Sequence, residues 1–468
     1  MRNLPTTLAI VTLAMAASTC GGGSGKEPTP ALKPCTVEEG VAAECGSVPV
    51  FENRDSRRGR KIDIAFAVLR ATGGPARDAV FLFAGGPGQA STALASSAAG
   101  WLQPLRATLD IVMVDQRGTG QSHRLGCDSG IADTPAKAFG HVFDPAWVNR
   151  CRATLEQDAD LTQYTTRRAI DDIDDVRARL GYRQISIYGA SYGTRLGLAY
   201  AQKFPDRIRS MVLDAVLAPD ARGPLSFAAT AAGALDRVIA SCRQRPLCDR
   251  AYPDLASDFV RLLARFDAAT VQAPIRTGAT PVVVEMTRGD LGYALRGMLY
   301  EPRAVFELPA HIARGAATGD VTPFAQAYAE RASRLHRTLA HGMHLSVQCS
   351  EDVARIRDEE IDPATAGTFL GRYVVDEYRR ACAGWPVAPV ETVAPPGGTL
   401  RAPVLLVSGY FDPVTPPAMA AGVAAFLPLA RHIIAPAGAH GSAAGCPRAA
   451  VLHLLIRATF DGMPGGCE

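Results

Sequence analysis

Ser191 stands between Gly189 and Gly193 in the stretch Ile187-Tyr188-Gly189-Ala190-Ser191-Tyr192-Gly193-Thr194, directly after an apolar run. Glycine two residues to either side suits a serine held on a sharp strand-to-helix turn, where a Cβ on either neighbour would collide. The pattern alone occurs by chance, and its plain reading is a turn. A serine hydroxyl becomes a nucleophile only beside a base, itself oriented by an acid. On sheets of this kind the chain order is Ser, acid, His. Of nine histidines, His440 lies just past the last strand-like run, in the small-residue loop APAGAHGSAAG. Asp412 follows the preceding run, in VLLVSGYFDPVTPP, with Pro413 fixing the backbone beyond it. Asp214, ending SMVLDA, is the rival acid.

Acyl transfer also needs donors for an oxyanion. One candidate is the backbone N–H of Tyr192, directly after the serine. The second comes from FLFAGGPGQAS, where Gly85 and Gly86 allow close backbone approach and Pro87 contributes no N–H. Gly86 is preferred over Gly85. In VDQRGTGQS, Asp115 and Arg117 are expected to brace loops rather than perform chemistry.

These residues need a scaffold. Apolar, β-branched runs occur at 61–70, 79–84, 109–115, 184–189, 210–215, 402–408 and 430–436. Their continuity suits strands buried on both faces. Helical patterns separate several of them: Ile170, Ile173, Val176 and Leu180 form one stripe that ends at Gly181. The alternation predicts a mostly parallel α/β sheet with helices on both faces. Residues 221–395 break the rhythm with Ala-, Arg- and Leu-rich helical spacing, and read as an insertion between a core half at 48–220 and a second at 396–468.

The bulk composition is that of a globular chain of 468 residues, 47% hydrophobic and 20% charged. A formal charge of +3, evenly spread, gives no basis for a nucleic-acid partner. Residues 1–19 read as an export signal: a basic start, then an apolar run too short to span a bilayer. Residues 20–47 read as a tether and N-terminal segment. Cys20, followed by a Gly/Ser tether, resembles a bacterial lipoprotein processing site, which implies a lipid anchor at a membrane; Thr19 departs from that pattern. Cleavage after Ala16 is the alternative, giving a secreted protein. Removing Cys20 from the eleven cysteines leaves ten. These fall into neighbours, Cys35 with Cys45, Cys127 with Cys151, Cys242 with Cys248, Cys349 with Cys382 and Cys446 with Cys467, as suits disulfides in the periplasm or outside the cell. His341 and His344 have a metal-like spacing, but no acidic partner completes a known pattern, so no metal or cofactor is expected.

Taken together, GGPG at 85–88, DQRGTGQS at 115–122, GASYGT at 189–194 and GYFDPVTPP at 409–417 resemble the α/β-hydrolase superfamily, and more narrowly its proline iminopeptidase and tripeptidyl aminopeptidase group. The resemblance implies an α/β-hydrolase fold whose helical insertion caps the active site. It implies a serine exopeptidase acting on peptides with a free N-terminus, the α-ammonium held by an acidic residue in or near the cap. Glu351, then Asp352, in SVQCSEDV best match that role. Ala84 stands where proline iminopeptidases have His, which leans the resemblance towards the tripeptidyl branch. An esterase acting on small carboxylic esters would use the same triad and is the alternative.

Overall fold

Five short runs, each wholly or almost wholly buried, form the centre of the molecule: AVFLF, DIVMV, ISIYGA, IRSMVLD and VLLVSG. Strands this apolar must be covered on both faces. The computed structural model describes residues 32–278, 280–389 and 397–467. Its strands are β1 (Lys33–Val37), β2 (Val41–Phe51), β3 (Lys61–Leu69), β4 (Ala79–Phe83), β5 (Asp110–Val114), β6 (Ile185–Ala190), β7 (Ile208–Asp214), β8 (Val271–Arg276), β9 (Pro281–Met286), β10 (Val404–Gly409) and β11 (Ala430–Ala435). Nine form one sheet in the order β1-β2-β3-β5-β4-β6-β7-β10-β11, while β8 and β9 pair separately. From β5 to β11 neighbours run parallel; β1, β2 and β3 add an antiparallel edge. All seven runs expected to be strands are strands. The sheet also starts earlier than residue 48, because β1 and most of β2 lie within 33–47.

Helices cover both faces. The helix Thr166–Leu180 buries Ile170, Ile173 and Val176 against one, starts with the Thr165 side chain accepting from the Arg168 N–H, and ends at Gly181 in the left-handed region (φ 82°). The helix Arg448–Arg457 lies on the other face, with Val451, Leu454 and Leu455 buried.

β7 and β10 are neighbours in space, in register from Met211 with Val404 to Asp214 with Val407. Between them the chain leaves the sheet and runs through helices and the β8–β9 hairpin. One apolar cluster holds this excursion together and takes in Phe143, Trp147 and Tyr164 from the stretch after β5, and Tyr192. All five expected disulfides are present: Cys35–Cys45, Cys127–Cys151, Cys242–Cys248, Cys349–Cys382 and Cys446–Cys467. They fit an oxidising, extracytoplasmic environment. Cys20 and the expected signal at 1–19 lie outside the described residues.

Candidate active site

Ser191 caps the helix Tyr192–Lys203 at the C-terminal end of β6, with φ 56° and ψ −121°. For a residue with a Cβ this conformation costs about 1–3 kcal/mol, so the surroundings must enforce it. They do so by close backbone packing. A Cβ on Gly189 would sit 2.5 Å from the Gly193 carbonyl oxygen, and one on Gly193 would sit 2.1 Å from that of Phe83 in β4. Both glycines are therefore required by the turn itself. The Ser191 N–H donates to the Asp214 carbonyl (2.9 Å), and the Ser191 carbonyl accepts from the N–H and hydroxyl of Thr194.

Asp412 follows β10 and is fully buried. Its carboxylate accepts from the N–H of Val414 (2.8 Å), the N–H of Thr415 (2.9 Å), the Thr415 hydroxyl (2.8 Å) and His440 Nδ1 (2.9 Å). Burial pushes its pKa up, but the neighbouring His440 and the two backbone donors outweigh that and hold it below the ordinary aspartate range. An ionised carboxylate only accepts, so Nδ1 of His440 carries the proton and Nε2 is left as the basic nitrogen. The loop bearing His440 packs directly on the turn after β10: a Cβ on Gly409 would lie 1.9 Å from the Ala439 carbonyl oxygen.

The rival acid, Asp214, has a different place. It accepts from the N–H groups of Ser442 (2.9 Å) and Ala443 (3.0 Å), just past His440, and from the Tyr188 hydroxyl (3.1 Å). Its backbone carbonyl meanwhile holds Ser191. One buried residue thus ties the serine turn to the histidine loop.

The loop after β4 carries Gly85 and Gly86. Gly85 abuts the serine, since a Cβ there would lie 3.3 Å from Ser191 Cβ, and Gly86 has φ +112°. The loop is pinned from above by the excursion. The Ala340 N–H donates to Gly88 (2.8 Å), and His344 Nδ1 donates to the Pro87 carbonyl (2.9 Å). From below, Asp115 takes the N–H and hydroxyl of Thr92 and the N–H of Gln121. Arg117, wholly buried, grips Asp172 with two parallel bonds (2.6 and 2.9 Å) and also donates to the carbonyls of Glu52 and Gln163. Ser191, His440, Gly85 and Gly86 all open onto one cavity of about 500 Å³, which the excursion roofs with Tyr300 and other side chains.

The profile described as the alpha/beta hydrolase fold matches residues 78–299, and that described as TAP-like protein matches residues 367–466. The chain belongs to the α/β-hydrolase superfamily. Among relatives of this α/β-hydrolase, "Serine protease Hip1" of Mycobacterium tuberculosis is 27% identical over 415 residues, covering 80% of this chain and 77% of that one. "Tripeptidyl aminopeptidase" of Streptomyces coelicolor is 29% identical over 192 residues, 38% of this chain and 35% of that one. "Proline iminopeptidase" of Neisseria gonorrhoeae is 28% identical over 142 residues, 30% of this chain and 34% of that one.

Not every expected site residue of this α/β-hydrolase reaches the cavity. Glu351 and Asp352 are not among its lining residues. Glu351 accepts from the Thr166 N–H and hydroxyl (both 2.7 Å) at the start of the helix Thr166–Leu180, and Thr166 in turn contacts the Tyr192 hydroxyl (2.7 Å). Asp352 pairs with Arg195 (2.8 Å). Both carboxylates are buried: Glu351 lines a second cavity beside Thr166, and Asp352 gives Oδ1 to Arg195 while its Oδ2 has no partner among the described residues. Sequence reasoning passed over Tyr300, Arg296 and Arg331, which do line the cavity. The helices of Arg296 and Arg331 show only ordinary amphipathic spacing, Tyr300 lies in the turn between two helices, and nothing local marks which turn faces a distant loop.

Proposed function

We propose that this α/β-hydrolase is an exported serine peptidase of aminopeptidase type, working through an acyl-enzyme with Ser191 as nucleophile, His440 as base and Asp412 as the orienting acid. Ser191 Oγ attacks the scissile carbonyl while His440 Nε2 takes its proton. Asp412 keeps the imidazole in the tautomer that leaves Nε2 basic and offsets the imidazolium charge. The N–H groups of Tyr192 and Gly86, or Gly85, receive the oxyanion. The proton on His440 passes to the departing amine, and water then resolves the ester with His440 again as base. The excursion between β7 and β10 serves as the cap, limiting access to short or terminal peptide segments.

The single observation that carries this reading is the 2.9 Å bond from His440 Nδ1 to a carboxylate with four donors, on a histidine that shares a cavity with Ser191. The resemblance to serine peptidases selects the amide as the bond cleaved. The test is mass spectrometry of products from matched free and N-acetylated peptides. Release of short N-terminal fragments from the free peptides alone is expected. Equal cleavage of both sets would remove the aminopeptidase reading, and cleavage of small esters with no peptide products would replace the peptidase by an esterase.

A further inference from the structure

We propose that the Ser191 cavity selects substrates with a carboxylate on a residue flanking the scissile bond, gripped by the guanidinium groups of Arg296 and Arg331. The nature of the bond cleaved rests on the peptidase reading above; the anion site does not.

Arg296 belongs to the helix Arg288–Met298 and is only 4% exposed. Its guanidinium lies 4.0 Å over the Phe227 ring and 5.3 Å from the Tyr300 ring, and donates to the Tyr300 hydroxyl (3.0 Å). Arg331, on the helix Thr322–Thr338, lies 3.9 Å over the other available surface, the Tyr300 ring. The Nε atoms of both arginines are buried with no hydrogen-bond partner, and neither arginine forms an ion pair among the described residues. Tyr300 joins this pair to the chemistry. Its ring lies 4.8 Å from that of His440, and its carbonyl accepts the His440 N–H (3.3 Å). Two guanidinium groups therefore stand one aromatic ring away from the proposed base.

Arg296 is buried and Arg331 half-buried, and a buried cation without a counter-ion is costly and tolerated only where something compensates it. The aromatic plates compensate in part and hold each planar fork still. They leave the Nε–H of both arginines unspent, although one terminal N–H of Arg296 is taken by the Tyr300 hydroxyl, and a guanidinium N–H edge matches a carboxylate. Nothing else in the cavity neutralises them. Glu301, an acid on the lining, lies half-exposed and pairs with Arg334 (3.4 Å). Of the lining histidines, 336, 341 and 344 are held neutral near pH 7 by burial and His141 faces Glu377 (3.2 Å), which leaves Arg296 and Arg331 as lining cations with no acidic partner among the described residues.

The test compares kcat/KM for peptide pairs with Glu or Gln on either side of the scissile bond. It adds an ester pair, the p-nitrophenyl monoester of glutarate against p-nitrophenyl butyrate. The wild type is expected to prefer the anionic member by about tenfold or more at one position at least. That ratio should collapse towards one in Arg331→Gln and be partly retained in Arg331→Lys. Arg296→Gln is the parallel variant, with thermal melting to show that each is folded. Should neither Gln variant fold, wild-type inhibition by glutarate but not by glutaramide carries the test. Equal rates for every pair, a preference unchanged in both folded Gln variants, or equal inhibition by glutarate and glutaramide would overturn the anion site. If no peptide is cleaved but the ester pair discriminates, the peptidase reading falls and the anion site stands. If peptides are cleaved and no pair, peptide or ester, is discriminated, the reverse holds.

Discussion

At the edge of the sheet, the Asp412 carboxylate accepts four hydrogen bonds and the Asp214 carboxylate accepts three. Across the same cavity, on the chain between β7 and β10, Arg296 Nε, Arg331 Nε, His341 Nδ1 and Gln348 Oε1 are buried with no partner among the described residues. The first region is fully spent on itself and so is fixed before any ligand arrives. The second keeps hydrogen-bonding capacity in reserve. On the proposed function the difference separates two tasks: the edge would carry the steps common to every substrate, and the roof would choose among substrates. Substitutions at the edge should therefore lower turnover for charged and neutral substrates alike, whereas those on the roof should change the ratio between them.

The largest effect is expected at Asp412. Asp412→Asn should lower kcat about 10⁴-fold for every substrate, by letting His440 adopt the wrong tautomer, as steady-state kinetics would show. A loss confined to acidic substrates would break the division of tasks. The same variant carries a pH signature. Asp412 titrates below the ordinary aspartate range, so its pairing stabilises the fold above the unfolded value of about 3.9 and is lost as pH falls through the lower folded value. The melting temperatures of wild type and Asp412→Asn should thus differ near neutral pH and converge in acid below that range.

Asp214→Asn comes next. It removes an acceptor from the loop behind His440 without touching the reacting groups. A displacement of the base should lower kcat about 10²-fold with little change in KM. A loss of stability with kcat per folded molecule unchanged would make Asp214 purely structural. Arg117→Ala tests the brace beneath both regions. It leaves Asp172 to Arg54 alone and takes the buried donor from the Glu52 and Gln163 carbonyls, at a cost of about 1–3 kcal/mol read from urea unfolding. The smallest effect lies in the roof. Burial pushes His336 down to about 4, and its ring stacks 4.3 Å from that of His341. Its contribution is present above the unfolded value of about 6.5 and is lost as pH falls towards 4. His336→Gln should flatten the melting temperature over that window.

How much of this was legible in advance follows from the range of the forces involved. Gly189, Ser191 and Gly193 could be read as a strained turn because the collisions that require glycine lie within a few residues or in the adjacent strand. The buried strands announced themselves by continuous apolar runs, and the disulfides by neighbouring cysteines. β1 and β2 were missed because their residues are largely exposed or half-buried and mix polar with apolar types. The β8–β9 hairpin was missed because its six-residue strands sit inside a helical stretch. Asp214 was read as a rival acid or, more readily, a turn cap, because its bonds to Ser442 and Ala443 span more than two hundred residues and leave no local sign. The placements of Arg296 and Arg331 over Tyr300, and of Glu351 under Thr166, depend on how helices dock, and helical periodicity carries no record of that.

The most direct measurement is covalent labelling with a fluorophosphonate probe, followed by peptide mass spectrometry of the wild-type protein and of the Ser191→Ala and His440→Ala variants. A single adduct on the peptide containing Ser191, abolished in the first variant and greatly slowed in the second, is the predicted result. Labelling on another serine, or labelling of Ser191 that proceeds at the wild-type rate without His440, would contradict the account.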